Sequence, residues 1–282
     1  GDEAFLNYGA SSTNAGDLAL PSGLTSIGKK AFSGAKLKGN LVIPSSVAFM
    51  GDSAFQSAYA DTDKSNMGML SFENGSKLTS IPAYAFDKCL AFKGSIVIPE
   101  GVTSIGQYAF EKCSGMDGTL SLPSGLETIG NYAFSECSKL TGGITLPDTL
   151  TQLGTYTFNK CSNINGELVL SKNLKNIPQA AFSNCSSMIG SVDIPEGVQK
   201  INANAFQGCS SLNGTLTIPE TVDTIGAYAF DQCSLLTGTL TIPGKVTNVS
   251  NYAFDACSGF DALKLSDSIT TIGNYAFADC DG

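Results

Sequence analysis

The stretch LTIPETVDTIGAYAFDQCSLLTG, residues 216–238, is followed almost at once by LTIPGKVTNVSNYAFDACSGF, residues 240–260. The second is the first with a few letters changed, and sliding the chain along itself extends the repetition in both directions. Ala-Phe or Thr-Phe pairs end at Phe86, Phe110, Phe134, Phe158, Phe182, Phe206, Phe230 and Phe254, at a constant period of twenty-four, and Phe277 arrives one position early. Earlier copies end at Phe5, Phe32 and Phe55. Three residues beyond nine of these phenylalanines stands a cysteine, from Cys89 to Cys280, and these are all the cysteines of the chain.

Each copy carries its own structural instructions. In GTLTIP the apolar Leu240 and Ile242 alternate with Thr239 and Thr241, the period-2 pattern of a half-buried strand. A proline such as Pro219 or Pro243 closes this strand, since it cannot donate to a ladder. VDTIG then forms a second short extended piece burying Val222 and Ile225, and Gly226 permits a tight turn. Phe230 and Cys233, at i and i+3, share one face as in a single helical or 3₁₀ turn. Leu236 and Gly238 bring the chain back to the next strand.

A period of about 20–29 residues with leucine and isoleucine at fixed offsets marks a leucine-rich-repeat solenoid, whose coils need neighbours to bury their apolar sides. The expected fold is an α/β repeat solenoid, a right-handed coil with two short strands and a helical turn per repeat. A length of 282 residues would suit two domains, but the repeat overrides it. One solenoid over residues 1–282 is expected, of roughly eleven repeats, irregular at 1–17 and 56–72 and cut from a longer protein.

Composition narrows the chemistry. The chain has no His and no Trp, its 16 basic residues are all Lys, and its net charge is −9. The usual general base and the usual bidentate anion clamp are therefore missing, and an acidic chain without arginine repels a phosphate backbone. No nucleic-acid partner, no cofactor and no metal is expected. No apolar run approaches the roughly 18 residues of a membrane span.

The unit L-x-I-P-x-x-V-x-x-I-G-x-Y-A-F-x-x-C-x-x-L resembles the BspA-type (Treponema-type) leucine-rich repeats over residues 18–280. Family repeats are mostly one position shorter; here a glycine before the strand, such as Gly94, Gly118 or Gly142, accounts for the addition. The resemblance implies a secreted or surface-attached protein of a bacterium or host-associated protist. It implies adhesion and protein binding, with extracellular-matrix or cell-surface proteins and glycoproteins as partners, and it supplies no catalytic residues.

Four features are candidates for function. The cysteine ladder lacks the C-x-x-C pairs or histidines of a zinc site, and stacked thiols point in parallel rather than at one another, so it reads as core filling beside each Phe. A tyrosine two residues before Phe, at Tyr84, Tyr108, Tyr132, Tyr156, Tyr228, Tyr252 and Tyr275, is expected to stack along an outer edge. The outward strand residues, Thr119, Ser121, Thr145, Glu167, Asp193, Thr215, Thr217, Thr239 and Thr241 among them, form a flat hydroxyl-rich face suited to broad, multivalent contact.

The fourth breaks the rhythm. Phe55 and Phe86 stand farther apart than one period, and the extra material is placed within QSAYADTDKSNMGML, residues 56–70. Tyr59, Asp61, Asp63, Lys64 and Met67 offer a binding loop there. Asp61, Asp63 and Ser65 echo a calcium loop, but Asn66 stands where its glycine should be and Phe72 where its closing glutamate should be. The expected function is a noncatalytic binding module. A structural spacer and a hydrolase using paired carboxylates among the 25 acidic residues are the alternatives.

Overall fold

The computed structural model describes residues 1–9, 16–60 and 67–281, a parallel-strand solenoid of about 10 turns. These residues form two compact units, Gly1–Thr141 and Gly142–Gly282. Both are built from the same coil.

In each unit the coil's apolar residues stack into columns. Phe5, Phe32, Phe55, Phe86, Phe110 and Phe134 lie ring on ring with centroids 5.0–5.6 Å apart in the first unit. Phe158, Phe182, Phe206, Phe230, Phe254 and Phe277 do so at 5.2–5.7 Å in the second. Val222, Ile225, Leu236 and Leu240, which fill the other columns, are also buried. The second strands form continuous parallel ladders: Ser80–Ile81, Ser104–Ile105 and Thr128–Ile129 in the first unit, and Asn176–Ile177 through Thr271–Ile272 in the second.

The first strands behave differently. They pair two by two: Ile96–Val97 with Leu120–Ser121, Ile144–Thr145 with Leu168–Val169, and Val192–Asp193 with Leu216–Thr217. The pre-strand glycines alternate accordingly. Gly94, Gly142, Gly190 and Gly238 have φ between +77° and +91°, and each N–H is capped from the next coil by the side chain of Asp117, Asn165, Asn213 or Asp261 at 2.7–3.1 Å. Gly214, in the coil between, is needed for space: a Cβ there would collide with the backbone and hydroxyl of Ser191. The structural repeat on this face is thus a pair of coils, twice the sequence period.

The helical turn is corrected. Among the described residues helix content is 0%, because two residues per coil are left-handed. Tyr108 and Lys112 both have φ +58°, and the same two slots recur from Glu3 and Asn7 to Tyr275 and Asp279. The N–H groups of Tyr108, Phe110 and Lys112 donate to carbonyls of the following coil at 2.7–2.9 Å, while those of Ala109, Glu111 and Cys113 fold back three residues at 3.2–3.3 Å. A positive φ at the third position of such a turn breaks any helical series. Gly226 is also reassigned: its φ is not positive, and a Cβ would run into the backbone of Asn202–Ala203, so it serves close coil approach.

The cysteines do more than fill space. Cys113, Cys137, Cys209 and Cys233 are buried free thiols, and each donates its S–H to the carbonyl of the Phe in the preceding coil at 3.1–3.2 Å. Phe86, for example, accepts from Cys89 N–H and Cys113 Sγ together, so both lone pairs are used. Burial pushes Cys89, Cys137 and Cys209 up to about 12. In the unfolded chain a thiol ionises near 8.5. This contribution to stability is therefore complete below that value and is lost as pH rises toward 12, at up to about 1.4 kcal/mol per pH unit for each thiol. Cys280, in the last coil, is the exception to core filling and is only half-buried. The urea midpoint should fall steeply between about pH 8.5 and 11 with no native labelling at pH 8 of the eight buried thiols, and Cys137→Ala with Cys209→Ala should flatten the fall. A midpoint flat with pH would contradict this.

Candidate functional site

The tyrosine edge forms as expected. Tyr84, Tyr108 and Tyr132 stack at 4.8 and 4.9 Å, and Tyr228, Tyr252 and Tyr275 at 4.6 and 4.9 Å, all within 13° of parallel. Left-handed φ turns each ring outward from the turn, and stacking then covers ring faces, so a partner meets mainly edges and hydroxyls. Lost hydration and then the flanking phenols of Tyr228 and Tyr275 raise the Tyr252 phenol.

Thr119, Ser121, Thr145, Glu167, Asp193, Thr215, Thr217, Thr239 and Thr241 are all exposed on the first-strand faces. Part of their hydrogen-bonding capacity is used between coils: Ser95 Oγ accepts from the Thr119 N–H at 2.9 Å and Ser191 Oγ from the Thr215 N–H at 3.0 Å. The face also carries bare apolar groups, chiefly Val97 at 63% exposure and Val169 at 50%.

The irregular segment is divided. Fifteen residues separate Phe55 from Leu70, where ten separate Phe86 from Ile96; sixteen separate Leu70 from Phe86, where fourteen separate Ile96 from Phe110. Two of the seven extra residues therefore lie in the turn after strand Leu70–Phe72, not within residues 56–70 as expected. Asp61, Asp63 and Lys64, with the calcium-loop echo, lie outside the described residues. Tyr59 is not a surface residue: it is fully buried against Phe92, ring centroids 4.5 Å apart. Burial raises its phenol, which has no hydrogen-bond partner among the described residues. Met67 is half-buried.

The longer turn shapes a groove of about 520 Å³ beside the next coil. Met69, Phe72, Val97 and Pro99 give it apolar walls, and Glu73 and Glu100 stand at its rim. Glu73 accepts from Ser45 N–H at 2.9 Å, which ties the turn to the preceding coil. The groove has no cation among its lining residues. Sequence reading missed it because Phe72 and Glu73 in place of the usual isoleucine and proline were the only signal.

Carboxylates also line up one residue after Phe. Asp87 is buried, accepts from Gln56 Nε2 at 2.9 Å and stands next to Glu111 in the column; Asp231 is buried, accepts from Gln207 Nε2 at 2.9 Å and stands next to Asp255. Burial, then Asp87, raises Glu111, and burial raises Asp231. Lys88 and Lys112 lie 3.7 Å from Asp87 and Glu111, and these acids lie outside the lining of the groove. Among the described residues no group of three or more Cys, Asp or Glu is arranged to hold a metal ion, and no helix is long and apolar enough to cross a membrane.

Coils of this kind, with paired strands on one face and stacked Phe within, define a leucine-rich-repeat scaffold. The profile described as the BspA type leucine rich repeat region matches residues 3–81, 79–213 and 186–282, and the chain belongs to that family. No curated protein matches it. Among solved structures it is similar to the pneumococcal vaccine antigen PcpA, with TM-score 0.58 and 20% identity over 96% of this chain and 77% of that one. A leucine-rich repeat protein of Eubacterium ventriosum gives TM-score 0.53 and 20% identity, covering 94% of this chain and 65% of that one. One from Bacteroides ovatus gives 0.47 and 23%, covering 94% and 84%. These likenesses are of fold.

Proposed function

We propose that the chain is a noncatalytic binding module of a secreted or cell-surface protein, and that it holds protein partners, matrix or cell-surface glycoproteins among them, through the groove beside Val97. The observation that carries this reading is the groove itself: an open apolar trough with Val97 63% and Met69 45% exposed, floored by rigid strands and rimmed by acid. Exposed apolar area collected in a concavity marks an interaction site better than area scattered singly. The family and the fold likeness to PcpA support a surface scaffold.

The test is a binding screen of the soluble chain against immobilised matrix proteins and mucins, repeated with Val97→Lys and Met69→Lys combined. Loss of at least tenfold in affinity for the captured protein, with unchanged melting, is expected. Full retention would move the site elsewhere.

A further inference from the structure

A second groove, of about 510 Å³, lies on the second-strand face of the other unit, and its chemistry is unlike the first. Four amides converge on it: Gln152 and Asn176 from the second strands of consecutive coils, Gln179 in the turn that follows, and Asn202 from the next coil. Ser80, Ser104, Thr128 and Thr224 hold the slot of Gln152 and Asn176 in other coils, and Lys200 and Asn248 in two more, so it is the succession of two amides in consecutive coils that sets this stretch apart.

Two of the four are held in place. Gln179 Nε2 donates to Tyr156 Oη at 3.1 Å, and Asn202 Nδ2 donates to the Ile177 carbonyl at 2.9 Å, which fixes the planes of both groups and leaves their oxygens to accept. Gln152 and Asn176 are exposed and show no side-chain hydrogen bond among the described residues, so each can offer both a donor and an acceptor. The floor is apolar. Leu153 is only half-buried where Ile129 and Ile177 are buried; Pro178 also lines the groove but is itself buried. Lys175, the one charged side chain of the lining, directs its ammonium toward Gly197, along the turn.

From this arrangement we infer that the groove is a binding site for a neutral saccharide. A pyranose presents an apolar C–H face and a rim of hydroxyls, each at once donor and acceptor. Leu153 matches the face, and the amides match the rim, since a carboxamide offers two donors and an acceptor in one plane. The volume falls within the roughly 300–1,000 Å³ of ligand sites. No carboxylate lines the groove, and Lys175, its one charged residue, reaches toward Gly197, so recognition falls to the uncharged amides.

The inference stands apart from the protein-binding groove of the first unit. Its test is an array of immobilised neutral hexose- and N-acetylhexosamine-terminated oligosaccharides, with sialylated and sulfated forms alongside, probed with the fluorescently labelled chain. Neutral glycans should bind, and Gln152→Ala combined with Gln179→Ala should weaken them at least tenfold with unchanged circular dichroism. Val97→Lys with Met69→Lys should leave that binding intact, so the two proposals fail separately. Absence of neutral-glycan binding, preference for the charged forms, or equal binding by the amide variant would each overturn it.

Discussion

Phe206→Ala should destabilise the protein by about 3 to 5 kcal/mol, the range of buried Phe truncations. The ring is fully buried between Phe182 at 5.4 Å and Phe230 at 5.2 Å, so its loss opens a cavity that two rigid neighbours cannot fill. Each coil touches chiefly the coils on either side, so the damage should be graded. Backbone amides in the coils of Phe182, Phe206 and Phe230 should lose the most hydrogen-exchange protection, and those of Phe32 the least. Protection lost evenly from end to end would show that the columns do not act as stacked neighbours.

A larger effect is expected from deletions that break the register. Removing residues 228–239, half a coil, would set strand residues against the Phe and Cys columns of the next coil, and this variant should not fold. Removing 228–251, one coil, joins Ala227 to Tyr252 and keeps every column, yet it takes out Gly238 and leaves Asp261 with no glycine N–H to cap. Removing 204–251, two coils, joins Ala203 to Tyr252 and brings Asp261 onto Gly190 in place of Asn213. The two-coil deletion should therefore melt at or above the one-coil deletion, although it discards twice as much chain. If the one-coil variant is clearly the more stable, the pairing of coils has no energetic weight.

The strands, the Phe and Cys columns and the family were legible because burial leaves a periodic mark on the sequence. The sign of φ leaves none. Phe230 and Cys233 at i and i+3 fit a helical turn and a chain of reversing turns equally well, and only backbone geometry separates the two. The S–H bonds were hidden for a similar reason, since Cys233 reads as a small apolar residue until the Phe206 carbonyl is seen at 3.2 Å. The coil pairing was visible in principle: Asp117, Asn165, Asn213 and Asp261 recur in every second coil, a signal weaker than the Phe beat in every coil that masks it. Of the candidate site, the exposed strand face was readable from alternation alone. Both grooves depend on departures from the average coil, Phe72 in one and the four amides in the other. Tyr59 was misplaced because its slot, four residues after Phe, holds half-buried serines such as Ser114 and Ser138 in regular coils, so the period gives no sign of its burial.

The left-handed slots carry a consequence for how this surface can change over evolutionary time. A left-handed residue costs an L-amino acid about 1–2 kcal/mol and bars β-branched side chains and proline most strongly. From Glu3 and Asn7 onward these slots hold Tyr, Lys, Glu, Asn, Gln, Ser, Ala, Asp or Gly, and never Val, Ile, Thr or Pro, although threonine crowds the neighbouring strands. Several are among the most solvent-open positions of the coil, Lys88, Lys160 and Gln232 for instance. Variation among descendants of this chain should therefore be free in charge and size along that edge but closed to branching at Cβ, so that the backbone, rather than any partner, acts as the selecting agent there.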